Sequence, residues 1–260
     1  MALQIGGGII TKGLNFYIDY GNPNWQDGNT TLYAVHAKNL ISTQHQQSGL
    51  GGSTSTYWDD EAGGCADFKD SGVGLASNNN HSRIANLRSS SYGSANDILG
   101  THAITAECWI KTTDSGGPIF SKPHNGAGQY NWGVNPGGPW FRNGYSDTTS
   151  GIGWTNIAGG GWSYCGGSVN CNTGEAYSVM YNARDGLEVA SGSISTTCVA
   201  PSGGWYGGHI SIMTVYGTGG YTGGNQMLGK LALFRFYFGT CLTPGEMVSN
   251  MNAQRGRFGV

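Results

Sequence analysis

Glycine sets the terms for this chain. It fills 47 of 260 positions, where an average globular chain has about 7 %. Such abundance suits collagen, low-complexity disorder, or many strands joined by tight turns. Collagen is excluded, because glycine keeps no Gly-X-Y period and there are only seven prolines. Disorder is excluded by eight Trp, fourteen Tyr and eight Phe, far more aromatic surface than a coreless chain carries. Glycine is therefore turn chemistry between strands, in a chain long enough for a full-sized core.

The hydrophobic periodicity agrees. Leu14, Phe16, Ile18 and Tyr20 alternate with Asn15, Tyr17 and Asp19, which predicts a half-buried strand. Ile104, Ala106, Cys108 and Ile110 alternate with Thr105, Glu107, Trp109 and Lys111. Tyr177, Val179 and Tyr181 form a shorter strand, Leu187 to Ile194 a weaker one, and Ile210, Ile212, Thr214 and Tyr216 another. Leu231 to Phe238 is apolar on both faces, as a central strand covered on both sides would be. Arg235 within it needs backbone carbonyls or a carboxylate, since an unpaired buried charge is costly. Ser48 to Thr56, Ser146 to Gly167 and Ser202 to Gly208 are Gly/Ser/Asn-rich connections. Many short strands with such turns predict a sandwich or barrel. One helix is signalled: Thr243-Pro244-Gly245-Glu246 is a capping box with proline in first place, Met247, Val248 and Met251 follow at helical spacing, and Gly256 supplies a stop.

The charge balance excludes several functions. With 13 Lys+Arg against 15 Asp+Glu, there is no basic face for nucleic acid and no polybasic membrane surface or acidic tail. The N-terminus lacks a basic n-region and an apolar h-region, so synthesis in a cytoplasm without a signal peptide is expected, unless the chain is trimmed. That leaves the sequons at Asn29 and Asn80 with little meaning. The six cysteines (Cys65, Cys108, Cys165, Cys171, Cys198 and Cys241) form no C-x-x-C, which argues against structural zinc. Cys108 suits a small buried apolar position. Cys165 and Cys171 are near enough to pair in an oxidising medium, and free thiols are the state expected in a reducing cell.

The ordered motifs resemble one family. Gly7-Gly8-Ile9-Ile10-Thr11-Lys12-Gly13-Leu14-Asn15-Phe16-Tyr17-Ile18-Asp19-Tyr20-Gly21-Asn22-Pro23 is similar to the opening strand of the concanavalin A-like (laminin-G-like) jelly-roll domains of tailed-phage, cyanophage-type virion proteins. Thr105 to Lys111 resembles the family's T-x-E-x-W-hydrophobic-K strand, and Pro118 to Lys122 the hairpin after it. Gly229 to Tyr237 with Leu242 to Glu246 resembles the closing strand and helix, and Asn252 to Gly259 the N-A-x-x-G-R-F-G tail. The family's F-D-G-x-x-D-Y strand, which precedes a calcium or ligand loop, survives only as Asp67-Phe68-Lys69-Asp70-Ser71-Gly72. The resemblance implies an all-β, antiparallel two-sheet jelly-roll sandwich with one short C-terminal helix. Residues 1–13 would be an N-terminal arm, 14–242 the sandwich, and 243–260 a helix and tail packed on it.

Candidate sites follow from residue type. Trp132, Trp140, Trp154, Trp162 and Trp205, with Tyr145, Tyr164 and Tyr206 nearby, lie in or beside Gly-rich segments. Exposed, they would stack on sugar rings or form a protein interface; packed down, they would fix the loops. Asp59, Asp60, Glu61, Asp67 and Asp70, with Asn78, Asn79 and Asn80, are the oxygen donors a calcium ion would need, or else line solvated loops. No other cofactor is suggested. Catalysis is not expected: glycosidases of the superfamily carry E-x-D-x-x-E, absent here, and contiguous Asp59-Asp60-Glu61 on a strand would point to opposite faces. Glu107 stands alone on its strand. The histidines His36, His45, His81, His102, His124 and His209 are scattered. The expected function is a structural protein on a tailed-phage virion surface, decorating the capsid or forming a head or tail appendage. It would meet other virion proteins through an apolar, Gly-rich arm from Met1 to Thr11, and a homo-oligomer is expected. A host-polysaccharide adhesin and, behind it, a glycan-cleaving hydrolase stay open as alternatives.

Overall fold

The computed structural model describes residues 9–22, 47–50, 56–68, 82–84, 103–115, 119–122, 131–143, 147–148, 151–194, 210–212, 214–217 and 220–260. The strands in chain order are β1 (Leu14–Asp19), β2 (Gln47–Leu50), β3 (Thr56–Asp59), β4 (Cys65–Phe68), β5 (Ser82–Ile84), β6 (Ala103–Lys111), β7 (Phe120–Lys122), β8 (Asn131–Asn135) and β9 (Gly138–Asn143). There follow β10 (Asp147–Thr148), β11 (Trp162–Asn170), β12 (Glu175–Asn182), β13 (Gly186–Ser193), β14 (Ile210–Ile212), β15 (Thr214–Gly217), β16 (Gly220–Gln226) and β17 (Gly229–Phe238), then one helix, α1 (Pro244–Asn252). The first sheet runs β13-β12-β11-β6-β17-β4-β3, with β1 also against β17, and the second runs β10-β9-β8-β7-β14-β5-β2. β15 and β16 form a separate hairpin. The expected all-β, antiparallel two-sheet class is the class observed.

The central strands of the first sheet, β6 and β17, are buried on both faces. Ile104, Ala106, Cys108 and Ile110 of β6, with Phe234 and Phe236 of β17, share a core with Ile119 and with Val134 of the second sheet. Trp109, Leu233 and Tyr237 point the other way, into a second core closed by Met247, Met251 and Phe258. This explains the unbroken apolar run of β17, which has no wet face. Two bulges reset the alternation. A register shift between Leu14 and Phe16 puts Leu14 on the outer face with Tyr17, whereas simple alternation predicts it beside Ile18. A second shift between Leu231 and Leu233 lets Leu231 and Phe234 share the inner face, because a bulge adds one residue to one strand.

Several elements differ from the sequence expectation, two of them in long strands or at a junction between sheets. The connection expected from Ser146 to Gly167 runs into β11, which pairs with β6 and β12 in the first sheet. Gly166 and Gly167 hide its periodicity, yet a Cβ on Gly166 would meet Met247 Sδ at 3.0 Å, so glycine there lets α1 seat on the sheet. The strand expected from Ile210 to Tyr216 divides: β14 joins the second sheet and β15 the hairpin. The described cysteines, Cys65, Cys108, Cys165, Cys171 and Cys241, are free thiols, and Cys108 is buried as expected.

The helix forms as its signals require. Thr243 N–H donates to Glu246 Oε2 at 2.8 Å, and Glu246 N–H to Thr243 Oγ1 at 3.3 Å. It ends at Asn252, before the expected stop at Gly256, which falls in a 3-10 turn, Arg255–Phe258. The early end lets Phe258 fold back and stack on Trp109, ring centroids 4.1 Å apart.

A fully buried polar group fixes the helix on the sheet. Glu107 and Arg235, paired in register on β6 and β17, have no exposed surface. Arg235 Nε stands 3.5 Å from Glu107 Oε2, and its Nη2 donates to Gln254 Oε1 at 2.6 Å. Asn250 Nδ2 donates to Glu107 Oε2 at 2.9 Å and to Tyr237 Oη at 3.1 Å, and Tyr164 Oη donates to Glu107. Burial first, and the Glu107 charge second, push the Tyr164 and Tyr237 phenols far above their ordinary value, so both remain neutral donors. Ile10 closes the group, donating to Asn250 Oδ1 at 2.6 Å and accepting from Tyr237 Oη at 3.0 Å. Glu107→Ala leaves Arg235 buried without its carboxylate and is expected to cost about 3–5 kcal/mol, read as a lower urea midpoint at unchanged slope.

Candidate functional site

The ends of β3, β4, β6 and β17 meet at one end of the first sheet. Lys111 closes β6 and Lys230 opens β17, and the two are register partners. Two ammonium groups directly opposite on neighbouring strands repel, and the segment after β3 supplies the compensation. Glu61 bridges both: Lys111 Nζ lies 2.6 Å from Oε1 and Lys230 Nζ 2.7 Å from Oε2. Asp59 takes Lys230 a second time at 2.8 Å, and Trp162 Nε1 donates to Glu61 Oε1 at 3.0 Å. Burial alone would raise the Glu61 carboxyl, but hydrogen bonds from Lys111 and Lys230 outweigh it and hold Glu61 below its ordinary value. Cys65, beside Asp59, is pushed up to about 12 by burial first and then by the Asp59 charge, which makes it an inert thiol.

The turn carrying Glu61 is held from the far end of the chain. Arg257 Nε donates to the Ala62 carbonyl, Nη2 to the Gly64 carbonyl at 2.7 Å, and Nη1 meets Asp19 Oδ1 at 2.5 Å. Next to the ion cluster opens a cavity of about 400 Å³, lined by Asp67, Phe68, Lys111, Thr112, Thr113, Gly160, Leu228, Gly229 and Lys230. Its walls are cross-braced: Thr112 Oγ1 donates to the Leu228 carbonyl at 2.6 Å, and Leu228 N–H to Asp114 Oδ2 at 3.0 Å. Gly229 has φ +147°, and a Cβ there would fall 2.5 Å from the Lys111 carbonyl oxygen, so glycine is required for this close approach.

The sequence candidates divide sharply. Trp154 is in the sandwich core, 9 % exposed, its Nε1 donating to the Pro136 carbonyl at 2.9 Å. Trp162 is 7 % exposed and packs on Phe258 as well as on Glu61. Neither is an exposed stacking platform, and each has its indole N–H already bonded. Tyr164 belongs to the buried group under α1. Trp132 and Trp140 lie in paired strands, β8 and β9, rather than in open loops. Tyr145, Trp205 and Tyr206 lie outside the described residues, as does Asp70.

Of the acids named for calcium, Asp59 and Glu61 converge on lysines, Asp60 is exposed and Asp67 is buried. Among the described residues no three His, Cys, Asp or Glu side chains are grouped to hold a metal. Glu107 is buried beneath the helix. Sequence reading missed Lys111, Lys230, Thr113 and Gly229. The available signal was two lysines at strand ends in a chain with only 13 basic residues.

No protein-family model and no curated protein sequence matches the chain. Solved structures do. The binding domain of botulinum neurotoxin DC in complex with SialylT superposes with a TM-score of 0.55 at 9 % identity, covering 93 % of this chain and 52 % of that one. A chain described as HCR/D-Sa-GBL1/C gives 0.53 at 11 % identity, covering 94 % and 52 %. This chain thus spans about half the length of the structures it matches. At such identity the likeness is one of fold alone, an antiparallel two-sheet jelly-roll sandwich.

The ion cluster has a pH signature. Because the Glu61 carboxyl is lowered by folding, its stabilisation is fully present above the ordinary value of 4.5 and is lost as pH falls through the lower folded value. Glu61→Gln is expected to lose about 1 kcal/mol or less at neutral pH, as half-exposed pairs do. Its melting temperature should then fall less steeply than that of the parent below about pH 4, measured by circular dichroism.

Proposed function

We propose that the chain is a non-enzymatic, lectin-like module on the surface of a tailed-phage virion, as a capsid decoration or head or tail appendage, and that it binds host-surface polysaccharide. The phage assignment rests on the ordered motifs from Gly7 to Gly259. The glycan assignment rests on the fold and, above all, on the braced cavity between β4, β6 and β17. Its volume of about 400 Å³ lies in the range of small-ligand sites. Its lining combines apolar Phe68 and Leu228 with the hydroxyl of Thr113 and two lysines, a mixture that suits the C–H face and the hydroxyl edge of a sugar ring. The neurotoxin domain that shares the fold was solved in complex with SialylT.

The same geometry favours binding over hydrolysis. A glycosidic general acid needs a carboxyl whose pKa is raised. Glu61, beside the cavity, is shifted the other way by its lysines. Glu107 is sealed under α1 and reaches no substrate.

A glycan array with the full chain is expected to show binding to a subset of host polysaccharides, with no new reducing ends after prolonged incubation. Absence of binding at millimolar sugar overturns the glycan reading, and new reducing ends overturn the non-enzymatic one. For the virion role, deletion of residues 1–8 spares the Ile10 anchor on Asn250. That variant is expected to fold and to be lost from phage particles on quantitative blotting. Normal incorporation would count against the arm as the docking element.

A further inference from the structure

We infer that the cavity between β4, β6 and β17 is one half of an extended site, continued by a second cavity at the ends of β11 and β12, and that this site takes an oligosaccharide chain rather than a single sugar. The inference rests on the glycan reading above and adds the length of the ligand. The second cavity measures about 160 Å³, and its lining includes Ile157, Trp162, Ser163, Asn182 and Arg184. The two cavities lie along one row of strand partners. Asn182 pairs with Ser163, the adjoining Trp162 with Lys111, Lys111 with Lys230, and Lys230 with Asp67. Asn182, Ser163 and Trp162 line the second cavity, and Lys111, Lys230 and Asp67 the first. With strands about 4.8 Å apart, the row from β12 to β4 is about 19 Å long, room for about four sugars end to end.

Three consecutive glycines separate the two halves: Gly159 and Gly161 line the second cavity and Gly160 the first. Gly160 N–H donates to the Thr112 carbonyl at 2.8 Å, which pins this loop to the end of β6, and its φ of +76° favours glycine. Gly161 is different. It is exposed, its φ lies outside the left-handed region, and a Cβ on it would meet nothing within 4 Å. The fold does not call for glycine there, whereas a chain passing from one cavity to the other does, because a side chain would project into the open space beside both. The second cavity is also equipped to hold a sugar. Ile157 and Trp162 give it apolar wall. Ser163 is 2 % exposed, and among the described residues its hydroxyl has no hydrogen-bond partner. Arg184 commits Nε and Nη2 to Asp185 and the Asn156 carbonyl, and its Nη1, beside Gly159, keeps its N–H donors. A few fixed polar groups on an apolar wall orient a ligand.

The test is a length series. Oligomers of glucose (both maltose- and cellobiose-type), of mannose and of N-acetylglucosamine, from one unit to six, are titrated into the full chain by calorimetry. In the series that binds, affinity is expected to rise about tenfold or more from one unit to four and then to level, because the second contact is made within the same molecule. Gly161→Trp, folded by circular dichroism, should abolish that gain and leave the affinity for the disaccharide unchanged. Ser163→Ala removes only a hydroxyl and should weaken the four-unit ligand about fivefold, the usual loss of one hydrogen bond, again without effect on the disaccharide. Affinity independent of length overturns the extended site and leaves the glycan reading standing. A length gain that survives both Gly161→Trp and Ser163→Ala does the same. No binding in any series sinks both readings together.

Discussion

The buried contact between Glu107 and Arg235 is the constraint around which the outer half of the molecule is arranged. Two full charges in a dry interior are tolerable only when the remaining polar atoms nearby are directed at them. Here β11 contributes Tyr164, β17 contributes Tyr237, α1 contributes Asn250, and the tail contributes Gln254. Gln254 also donates to Tyr17 Oη at 3.2 Å, and Arg235 lies over the Tyr17 ring at 5.9 Å. A hydrophobic patch alone would let the helix slide or rotate on the sheet. Directed hydrogen bonds from four elements leave one seating.

That seating reaches the candidate site through the tail. With α1 docked, the 3-10 turn after it stacks Phe258 on Trp109 and carries Arg257 to the turn that holds Glu61. Glu61 then neutralises two lysines that the β6–β17 register forces together. The cavity is a consequence of this order: the sheet ends are fixed by the ion cluster, and Gly229 lets β17 start against the Lys111 carbonyl. In a chain in which charged residues make up only 11 %, both lysines at this end of the sheet are bonded to carboxylates.

Much of the architecture was legible in sequence because it depends on local rules. The alternation in β6 and the two-sided apolar run of β17 are short-range patterns, and both describe what the strands bury. The capping box of α1 is four residues long and behaves as written. Where the reading failed, the information was not local. Leu14 sits opposite its expected face because a bulge, set by pairing with β17, resets the phase. β11 was hidden because Gly166 and Gly167, the residues that blur its pattern, are there for Met247 of the helix. Trp154 and Trp162 lie in glycine-rich segments that suggested open loops, yet both are held inside by hydrogen bonds to distant partners.

The candidate site shows the same division. Composition and periodicity were enough to determine a glycine-turned, all-β sandwich or barrel with a helix at its end, because turn geometry and strand alternation are properties of neighbouring residues. The fate of the acids was decided only in three dimensions. Asp59 and Glu61 read as loop carboxylates suited to a metal until Lys111, 50 residues on from Glu61, and Lys230, 171 on from Asp59, arrive beside them. Coulomb pairing acts through space and leaves no spacing in the chain to find. The sequence alone shows which charges exist; the register of β6 against β17 determines which of them meet.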